Sequence, residues 1–379
     1  MTIRDTAITR RGALTAAGAG AVIGALGLGG TALATPAAPD RKPVKLTPAQ
    51  RAGQRVIFSY PGLTPPATLL DQISAGEAGG VIFFGENITG LTQIAAVVAQ
   101  LNQAHDASPV RSPLLLMTDQ EGGIVRRLPG EPVLSEKQIG ESADPAQEAA
   151  QAGSGAGENL AGVGMNLNLA PVLDVYRQAG NFDDEFGRSY SMDPNVCAEC
   201  GAAFITAQQP LRIAATAKHF PGLGAATVDQ NTDLGPVTLD VPLADLRSID
   251  EVPFRAAIAS GVRLVMCSWA VYPALDPELP SGLSPAIVGG ELRRRLRFRG
   301  VTITDALEAG AIAAFGTPAQ CGVLAARAGM DVLLCSARDV SEGQDTVAAL
   351  ADALRHHALN PGQFDIALRR VLALRDSLA

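Results

Sequence analysis

The 379-residue chain contains few aromatic residues, which make up 4% of the sequence and include a single tryptophan. This scarcity argues against a long platform of stacked rings for a polymeric ligand. Positive charge is also limited, since 30 Lys and Arg residues face 38 Asp and Glu residues, for a formal net charge of −8. Such a balance leaves no basic surface of the kind that nucleic-acid binding requires.

Histidine is scarce as well, with four residues in the chain. Three of them, His105, His356 and His357, lie in polar helical stretches. Adjacent residues point to different faces of a helix, so His356 and His357 do not converge on one ion. We therefore predict neither a metal site nor a cofactor.

Five cysteines are present, an odd number. Cys267 and Cys335 lie in apolar segments and are interpreted as core thiols. Cys197 and Cys200 form a C-x-x-C pair without the additional partners that a redox or metal site needs. A structural role is favoured for this pair, and whether its thiols are bridged stays open at this point.

Long apolar runs are absent beyond the first forty residues, so no later segment is expected to cross a membrane. Within those forty residues, Arg10-Arg11 forms a twin-arginine pattern, a stretch rich in Ala, Gly and Leu follows, and Ala32-Leu33-Ala34 resembles a cleavage site. We interpret residues 1–40 as a signal peptide and linker, and 41–379 as one domain of an exported, secreted protein. A membrane anchor is disfavoured, because Gly and Ala make a poor span.

The remaining chain alternates apolar strand cores with helical stretches, which predicts a parallel α/β fold. The count of eight strands favours a closed (β/α)₈ barrel of the triosephosphate isomerase (TIM) type over an open sheet, and the last helix, 363–378, is expected to complete the outer ring. The predicted strand cores are Val56–Ser59, Gly80–Phe84, Leu114–Thr118, Met165–Leu169, Ala214–Ala217, Leu264–Cys267, Val301–Thr304 and Val332–Cys335.

Several of these strands end in charged side chains. Lys218-His219 follows one strand and leads into Pro221-Gly222, Asp119 follows another, and Asp305 a third. In a barrel, residues after the C-terminal ends of the strands converge on one mouth, where active sites are found. We therefore expect these side chains to share one site.

The motifs around these strand ends resemble glycoside hydrolase family 3, and most closely its single-domain β-N-acetylglucosaminidase branch. The similarity runs in order from about Val56 to the C-terminus and is carried by Met117–Arg127, Leu169–Val175, Gly187–Tyr190, Lys218–Asp233, Gly300–Leu307 and Ala328–Leu334.

The resemblance implies a role for individual residues. Asp119, Arg127, Arg188, Lys218 and His219 would hold the terminal sugar, and Arg127 is favoured over its neighbour Arg126 by its spacing from Asp119. Asp305 would be the nucleophile of a retaining glycosidase. The sequence also allows a different role, since Asp305-Ala-Leu-Glu308 has the pattern of a helix N-cap with Glu at the third helical position.

The proton donor is where the sequence departs from this branch, which uses an Asp-His pair on a loop. Asn231 occupies the position of the His, and an amide does not exchange a proton near neutral pH. Asp229 matches the Asp of the pair, and Asp233 is the candidate if the loop is longer. Either carboxyl group would need a raised pKa to act as the acid.

These observations predict an exported retaining exo-glycosidase that removes terminal β-linked N-acetylglucosamine from a carbohydrate substrate. A β-glucosidase is the alternative within the family, and a catalytically weak or inactive sugar-binding protein is the alternative outside the enzyme class. Trp269, which follows a strand, is expected either to stack on a sugar ring or to pack at the barrel rim.

Overall fold

The fold is that of a computed structural model, which describes residues 46–379. The predicted signal peptide and linker at 1–40 lie outside the described residues. Among those described, no helix is long and apolar enough to cross a membrane.

Eight parallel strands close into a barrel, as the sequence predicted, with each strand core at its expected place. Chain-order neighbours pair around the ring, and β1 closes it by pairing with β8. The strands are β1 Val56–Phe58, β2 Gly80–Ile82, β3 Leu115–Thr118, β4 Leu167–Asn168, β5 Ala214–Phe220, β6 Leu264–Cys267, β7 Val301–Ala306 and β8 Val332–Leu334.

Helices surround the barrel and cover the outward side chains of the strands, which is why those strands are apolar on both faces. Several helices begin with proline directly after a side-chain cap, as at Asp144-Pro145 and Asn360-Pro361. The α-helices are α1 Pro48–Gly53, α2 Ala67–Ser74, α3 Leu91–Asp106, α4 Glu136–Gly140, α5 Pro145–Gly162, α6 Phe182–Glu185, α7 Pro194–Gln208, α8 Leu243–Asp245, α9 Glu251–Ala259, α10 Pro318–Ala328, α11 Val340–Arg355 and α12 Pro361–Asp376.

Other helical types also occur among the described residues. The segments Leu246–Asp250 and Ala286–Arg295 are π-helical. Short 3₁₀ turns occur at Gly85–Asn87, Gln209–Leu211, Ser281–Leu283 and Gly310–Phe315.

The position of the last helix differs from the prediction that it completes the outer ring. In α12, Val371 and Leu374 belong to the apolar cluster formed by inward-facing strand residues such as Ile57 and Leu115. The buried Arg375 of α12 donates to the backbone oxygens of Ser112 and Pro113, just before β3. The helix therefore packs under the barrel at the N-terminal end of its strands, where it covers an apolar opening.

The opposite end of the barrel stays open, and two hairpins flank it. One is formed by Gln120–Gly122 and Val125–Arg126 after β3, and the other by Val271–Tyr272 and Asp276–Pro280 after β6. Strand β5 is the longest, with seven buried residues, and carries its last side chains above the barrel core. This is the end at which a ligand site is expected.

Candidate active site

A cleft of about 500 Å³ opens at the C-terminal ends of the strands. Of the site residues predicted from the sequence, all but Asp229 line it. Its charged lining consists of Asp119, Arg127, Arg188, Lys218, His219, Asp233, Asp305, Glu308 and Arg338.

Lys218 and Arg188 are joined through one buried carboxylate. Lys218 Nζ lies 2.7 Å from Glu121 Oε1 and 2.9 Å from Asp119 Oδ1. Arg188 donates from Nε and Nη2 to the two oxygens of Glu121, both at 2.9 Å. Such a bidentate pair fixes the plane of the guanidinium and gives the cluster a defined geometry.

The charges of this cluster are held in their ionised forms. Burial would raise the pKa of Glu121, but Arg188 and Lys218 outweigh it and lower that pKa to about 2. Burial would lower the pKa of Lys218, but Asp119 and Glu121 raise it above its usual value. The cluster therefore presents fixed donors and acceptors to the cleft near neutral pH. Glu121 lies within one of the motifs that carry the family resemblance, yet the sequence alone did not assign it to the site.

His219 is held from behind by Asp174. The Asp174 carboxylate accepts hydrogen bonds from His219 Nδ1 at 2.7 Å, from the His219 amide at 3.2 Å and from the Leu223 amide at 2.6 Å. Burial would lower the pKa of His219, but the charge of Asp174 outweighs it and the pKa is raised. The protonated ring then directs its Nε2–H away from Asp174, as a donor.

The glycines after His219 let this loop lie close to its neighbours. A Cβ on Gly224 would lie within 3 Å of the Val175 backbone, and one on Gly222 would lie 2.7 Å from Asp250 Cβ. Gly222 also has a φ of 139°, which side-chain-bearing residues rarely adopt. Gly224 therefore lets the loop pack against the segment that carries Asp174, and Gly222 lets it pass close to Asp250.

The two adjacent arginines, Arg126 and Arg127, make different contacts. Arg127 lines the cleft, and its buried Nε has no hydrogen-bond partner among the described residues. Arg126 instead donates to the backbone oxygen of Gly130 at 2.6 Å. Arg127 is thus the one available to a ligand.

Asp305 is the penultimate residue of β7 and faces the cleft from the side opposite Asp119. One of its oxygens accepts a hydrogen bond from the Ala306 amide at 2.8 Å. The N-cap interpretation of Asp305 is wrong, because no α-helix begins here: the strand runs to Ala306 and the next element is the 3₁₀ turn Gly310–Phe315. The carboxylate is therefore free of capping contacts.

Trp269 packs at the rim and does not reach the cleft. Its side chain is 1% exposed, and its Nε1 donates to the Ala306 oxygen at 2.7 Å. The aromatic residues that do line the cleft are Phe84, Phe182 and Phe186, which the sequence had not indicated. Trp269 thus supports the backbone next to Asp305.

The loop after β5 brings one of its two aspartates into the cleft. Asp229 and Asp233 are both exposed, but only Asp233 belongs to the cleft lining. Partial desolvation in the cleft raises the pKa of Asp233, and the negative charge of Asp305 also raises it. Asn231 Oδ1 accepts a hydrogen bond from the Asp233 amide at 2.8 Å and so fixes the turn that directs this residue.

A second carboxyl group, Asp183 on α6, is buried behind the cluster. Neither of its oxygens has a hydrogen-bond partner among the described residues. Burial raises its pKa to about 7, and Asp174 contributes to the rise while Arg188 and His219 oppose it. No signal in the sequence pointed to this residue, because its environment comes from β4, β5 and the loop before Arg188.

Residues 46–379 contain neither a candidate metal site nor a disulfide. No group of three or more His, Cys, Asp and Glu residues is placed to hold an ion there. Cys197 and Cys200 are both free thiols on α7, and burial raises the pKa of each. They pack against Tyr190 and Phe204 as part of an apolar cluster.

Comparison with known proteins places this fold and cleft in a family. The profile of the glycosyl hydrolase family 3 N-terminal domain matches residues 56–374. An uncharacterised secreted glycosyl hydrolase of Arthroderma benhamiae is 47% identical over 333 residues, which cover 87% of this chain and 94% of that protein.

Two solved structures share the fold at appreciable identity. A family 3 β-N-acetylglucosaminidase from a Paenibacillus strain superposes with a TM-score of 0.83 at 33% identity; the match covers 88% of this chain and 63% of that one. A β-N-acetylhexosaminidase from Beutenbergia cavernae gives a TM-score of 0.79 at 36% identity, and the match covers 87% of this chain and 99% of that one. The chain is therefore a glycoside hydrolase and belongs to glycosyl hydrolase family 3.

Proposed function

We propose that the protein is an exported, retaining exo-glycosidase that removes terminal β-linked N-acetylglucosamine. The observation that carries the proposal is that Asp305 and Asp233 line one cleft together with a rigid cluster of buried charges. The choice of sugar is supported by the Paenibacillus and Beutenbergia enzymes, which are described as acting on N-acetylglucosamine and N-acetylhexosamine linkages.

The charged cluster would bind the terminal sugar. Asp119 accepts hydrogen bonds from hydroxyl groups, while Arg127, Arg188, Lys218 and the His219 imidazolium donate them. Because Glu121 and Asp174 already fix the donors, little side-chain entropy is lost when the sugar binds. This arrangement surrounds a single ring, which favours cleavage at a chain end.

Asp305 would act as the nucleophile. Its free oxygen attacks the anomeric carbon while the bond from that carbon to the leaving oxygen breaks, and the leaving oxygen takes up a proton from the acid. Water then attacks the anomeric carbon of the glycosyl-enzyme, and the bond from that carbon to Asp305 breaks. The residue that acted as the acid in the first step now accepts the proton of this water. Two displacements restore the original configuration.

Asp233 would supply and recover that proton. Its pKa is raised by partial desolvation in the cleft and by the negative charge of Asp305, which is the setting a carboxyl group needs to remain protonated until the leaving oxygen accepts its proton. Asp229 is exposed outside the cleft. Asn231 would then hold the turn that places Asp233.

A catalytically inactive sugar-binding protein is the second candidate, and the presence of Asn231 in place of the His favours it. The binding cluster alone would serve that function. The raised pKa of Asp233 supports an enzyme instead, because binding does not require an acid.

Hydrolysis of a panel of nitrophenyl β-glycosides by the full chain tests the proposal. We expect turnover of the N-acetylglucosaminide above that of the glucoside and a product that retains its configuration. Asp305→Ala should abolish turnover of every substrate. Asp233→Ala should lower turnover of a disaccharide by roughly 10²–10⁴-fold but form the intermediate readily from a nitrophenyl glycoside, with partial rescue by azide.

Asp229→Ala is the matched control and should behave like the parent protein. If Asp229→Ala shows the dependence on leaving group and Asp233→Ala does not, the proton donor is wrongly assigned. Faster turnover of the glucoside would favour the β-glucosidase alternative. Tight binding of N-acetylglucosamine without turnover of any glycoside would support the binding protein.

A further inference from the structure

The side of the cleft formed by β2, β7 and β8 carries polar and aromatic groups to which the proposed mechanism gives no role. Glu308, Ser336, Arg338 and Phe84 line this wall. It lies across the barrel mouth from β5, which carries Lys218 and His219, and from β4, which precedes Arg188 in the chain. These four residues have a composition typical of a sugar-binding subsite: a carboxylate, a hydroxyl group, a guanidinium and an aromatic ring.

The Glu308 carboxylate is fixed in place. The Ser336 hydroxyl donates to its Oε1 at 2.7 Å, and the Ser336 amide donates to its Oε2 at 3.3 Å. Each oxygen still has an acceptor site left for a further donor. An exposed glutamate held by two hydrogen bonds is prepared for a ligand, because the entropy of ordering its side chain is already lost.

Glu342 supports this carboxylate from the protein side. Burial and the negative charge of Glu308 together raise the pKa of Glu342 to about 8. Glu342 Oε2 accepts from the Ala337 amide at 3.0 Å, and its buried Oε1 has no other partner among the described residues. Near neutral pH Glu342 is therefore largely protonated and does not repel the Glu308 carboxylate.

The ring of Phe84 is oriented by its surroundings. The guanidinium of Arg338 stacks over this ring at 4.3 Å from the centroid and also lies 3.4 Å from Glu86. The Phe84 amide donates to Asn87 Oδ1 at 2.8 Å, and the Asn87 amide group donates to the backbone oxygen of Tyr60 at 3.0 Å. The ring is thus held on one face and by its own backbone.

We infer that this wall is the subsite for the leaving sugar, with Glu308 accepting hydrogen bonds from a pair of its hydroxyl groups and Phe84 packing against its pyranose ring. The inference rests on the proposed function and narrows it: the substrate class is a β-linked disaccharide or chain end, in which the group released is itself a sugar. Glu308 is then a specificity residue for the leaving sugar and takes no part in proton transfer.

Two substrates separate this role from a general effect on the cleft. The β-linked disaccharide of N-acetylglucosamine has a leaving sugar, whereas N-acetylglucosaminyl fluoride has none. For Glu308→Gln we expect kcat/KM on the disaccharide to fall roughly 10- to 100-fold, as for the loss of a hydrogen bond to a charged group. On the fluoride, kcat/KM should remain within about twofold of the parent, because the lost contact is absent from that substrate.

Phe84→Leu provides a second variant that keeps Glu308. Loss of the ring should raise KM for the disaccharide by roughly 2- to 10-fold and leave the fluoride unaffected. Glu278→Gln is the matched control, because Glu278 is an exposed glutamate outside the cleft lining on the hairpin after β6. It should match the parent on both substrates.

A third measurement uses the reverse binding event. A sugar acceptor that captures the glycosyl-enzyme must occupy the same subsite, so free N-acetylglucosamine should divert less product to disaccharide in Glu308→Gln than in the parent.

Equal losses on the fluoride and the disaccharide would overturn the inference, since Glu308 would then serve the cleft as a whole. Unchanged disaccharide turnover in both variants would overturn it too, as would a parent that hydrolyses the fluoride and not the disaccharide. A parent inactive on both substrates would contradict the proposed function itself, and this inference with it.

Discussion

At the scale of single residues, the inner part of the cleft is held by buried charges, among them Glu121, Lys218 and Asp174. Isolated buried charges are destabilising, and removal of one partner of a buried pair typically costs about 3–5 kcal/mol. Here Glu121 is shared by Lys218 and Arg188, and Asp174 accepts three hydrogen bonds from the His219 segment. The fold therefore maintains the site, and each partner is expected to matter for stability as well as for binding.

Asp183 provides a prediction at this scale, because its carboxyl group is buried without a partner among the described residues. Its pKa of about 7 in the folded chain lies above the value of about 3.9 in an unfolded one. Between these values the folded state binds a proton that the unfolded state does not, so this stabilising contribution is present below about pH 4 and lost as the pH rises to about 7. Asp183→Asn stays neutral throughout, and its free energy of unfolding should exceed that of the parent above about pH 7, by at most about 4 kcal/mol.

Urea denaturation across this pH range measures the difference. Asp184→Asn is the control, because the neighbouring Asp184 pairs with Lys137 at 2.5 Å and accepts from the Gly180 amide at 2.6 Å. That variant should be less stable than the parent. A constant difference between Asp183→Asn and the parent at every pH would show that Asp183 is ionised in the folded protein.

At the scale of elements, the segment after β5 is an ordered loop with several anchors. The Gly310 amide donates to the backbone oxygen of Asp233 at 2.9 Å, and the Ala311 amide donates to the backbone oxygen of Thr232 at 3.0 Å. Both donors belong to the 3₁₀ turn that follows Asp305 by a few residues. The loop therefore joins the two sides of the cleft and links the positions of Asp233 and Asp305.

Asn231 is the residue through which this loop can be tested. Asn231→Ala removes the acceptor for the Asp233 amide, and we expect disaccharide turnover to fall by about 10-fold or more, within the range for loss of proton transfer. Asn231→Asp keeps an acceptor at the same place and should retain most activity. Turnover of the glycosyl fluoride, which needs little acid assistance, should change little in either variant.

Asn231→His gives a distinct outcome. It restores the residue of the resembled branch but removes the short acceptor that caps the turn, so a decrease is expected if Asp233 is the acid. An increase in disaccharide turnover would mean that the introduced imidazole and Asp229 work as a pair, and would contradict the assignment of Asp233.

At the scale of the whole barrel, the apolar packing beneath the strands and the cleft lie at opposite ends. The N-terminal end of the strands is covered by α12 and its buried Arg375, whereas the other end carries the cleft. Loops around the cleft can therefore change without disturbing the core. Export belongs to this scale too, and the A. benhamiae relative is named as a secreted protein.

We predict that the precursor is exported through the twin-arginine pattern. Replacing Arg10 and Arg11 with lysine should leave the protein in the cytoplasm, which fractionation of expressing cells would detect. Replacing Arg41 and Lys42, beyond the expected cleavage site, should leave export intact. Unchanged secretion of the twin-lysine variant would show that a different route carries the protein.

The sequence determined the features that depend on local pattern and on chain order. Alternating apolar strands and helices imply a barrel, and a barrel brings the ends of parallel strands to one mouth. For that reason Asp119, Lys218, His219 and Asp305 were placed at one site from their positions alone. The family resemblance likewise favoured Arg127 over Arg126.

The tertiary structure decided the features that depend on contacts between distant segments. Which loop aspartate enters the cleft depends on the bonds of Thr232 and Asp233 to residues 310–311, and no local pattern encodes them. The burial of Trp269 and the packing of α12 beneath the strands follow from how apolar surface is shared across the whole barrel. A pKa is equally non-local, because that of Asp183 is set by desolvation and by Asp174, Arg188 and His219, which only the folded chain brings together.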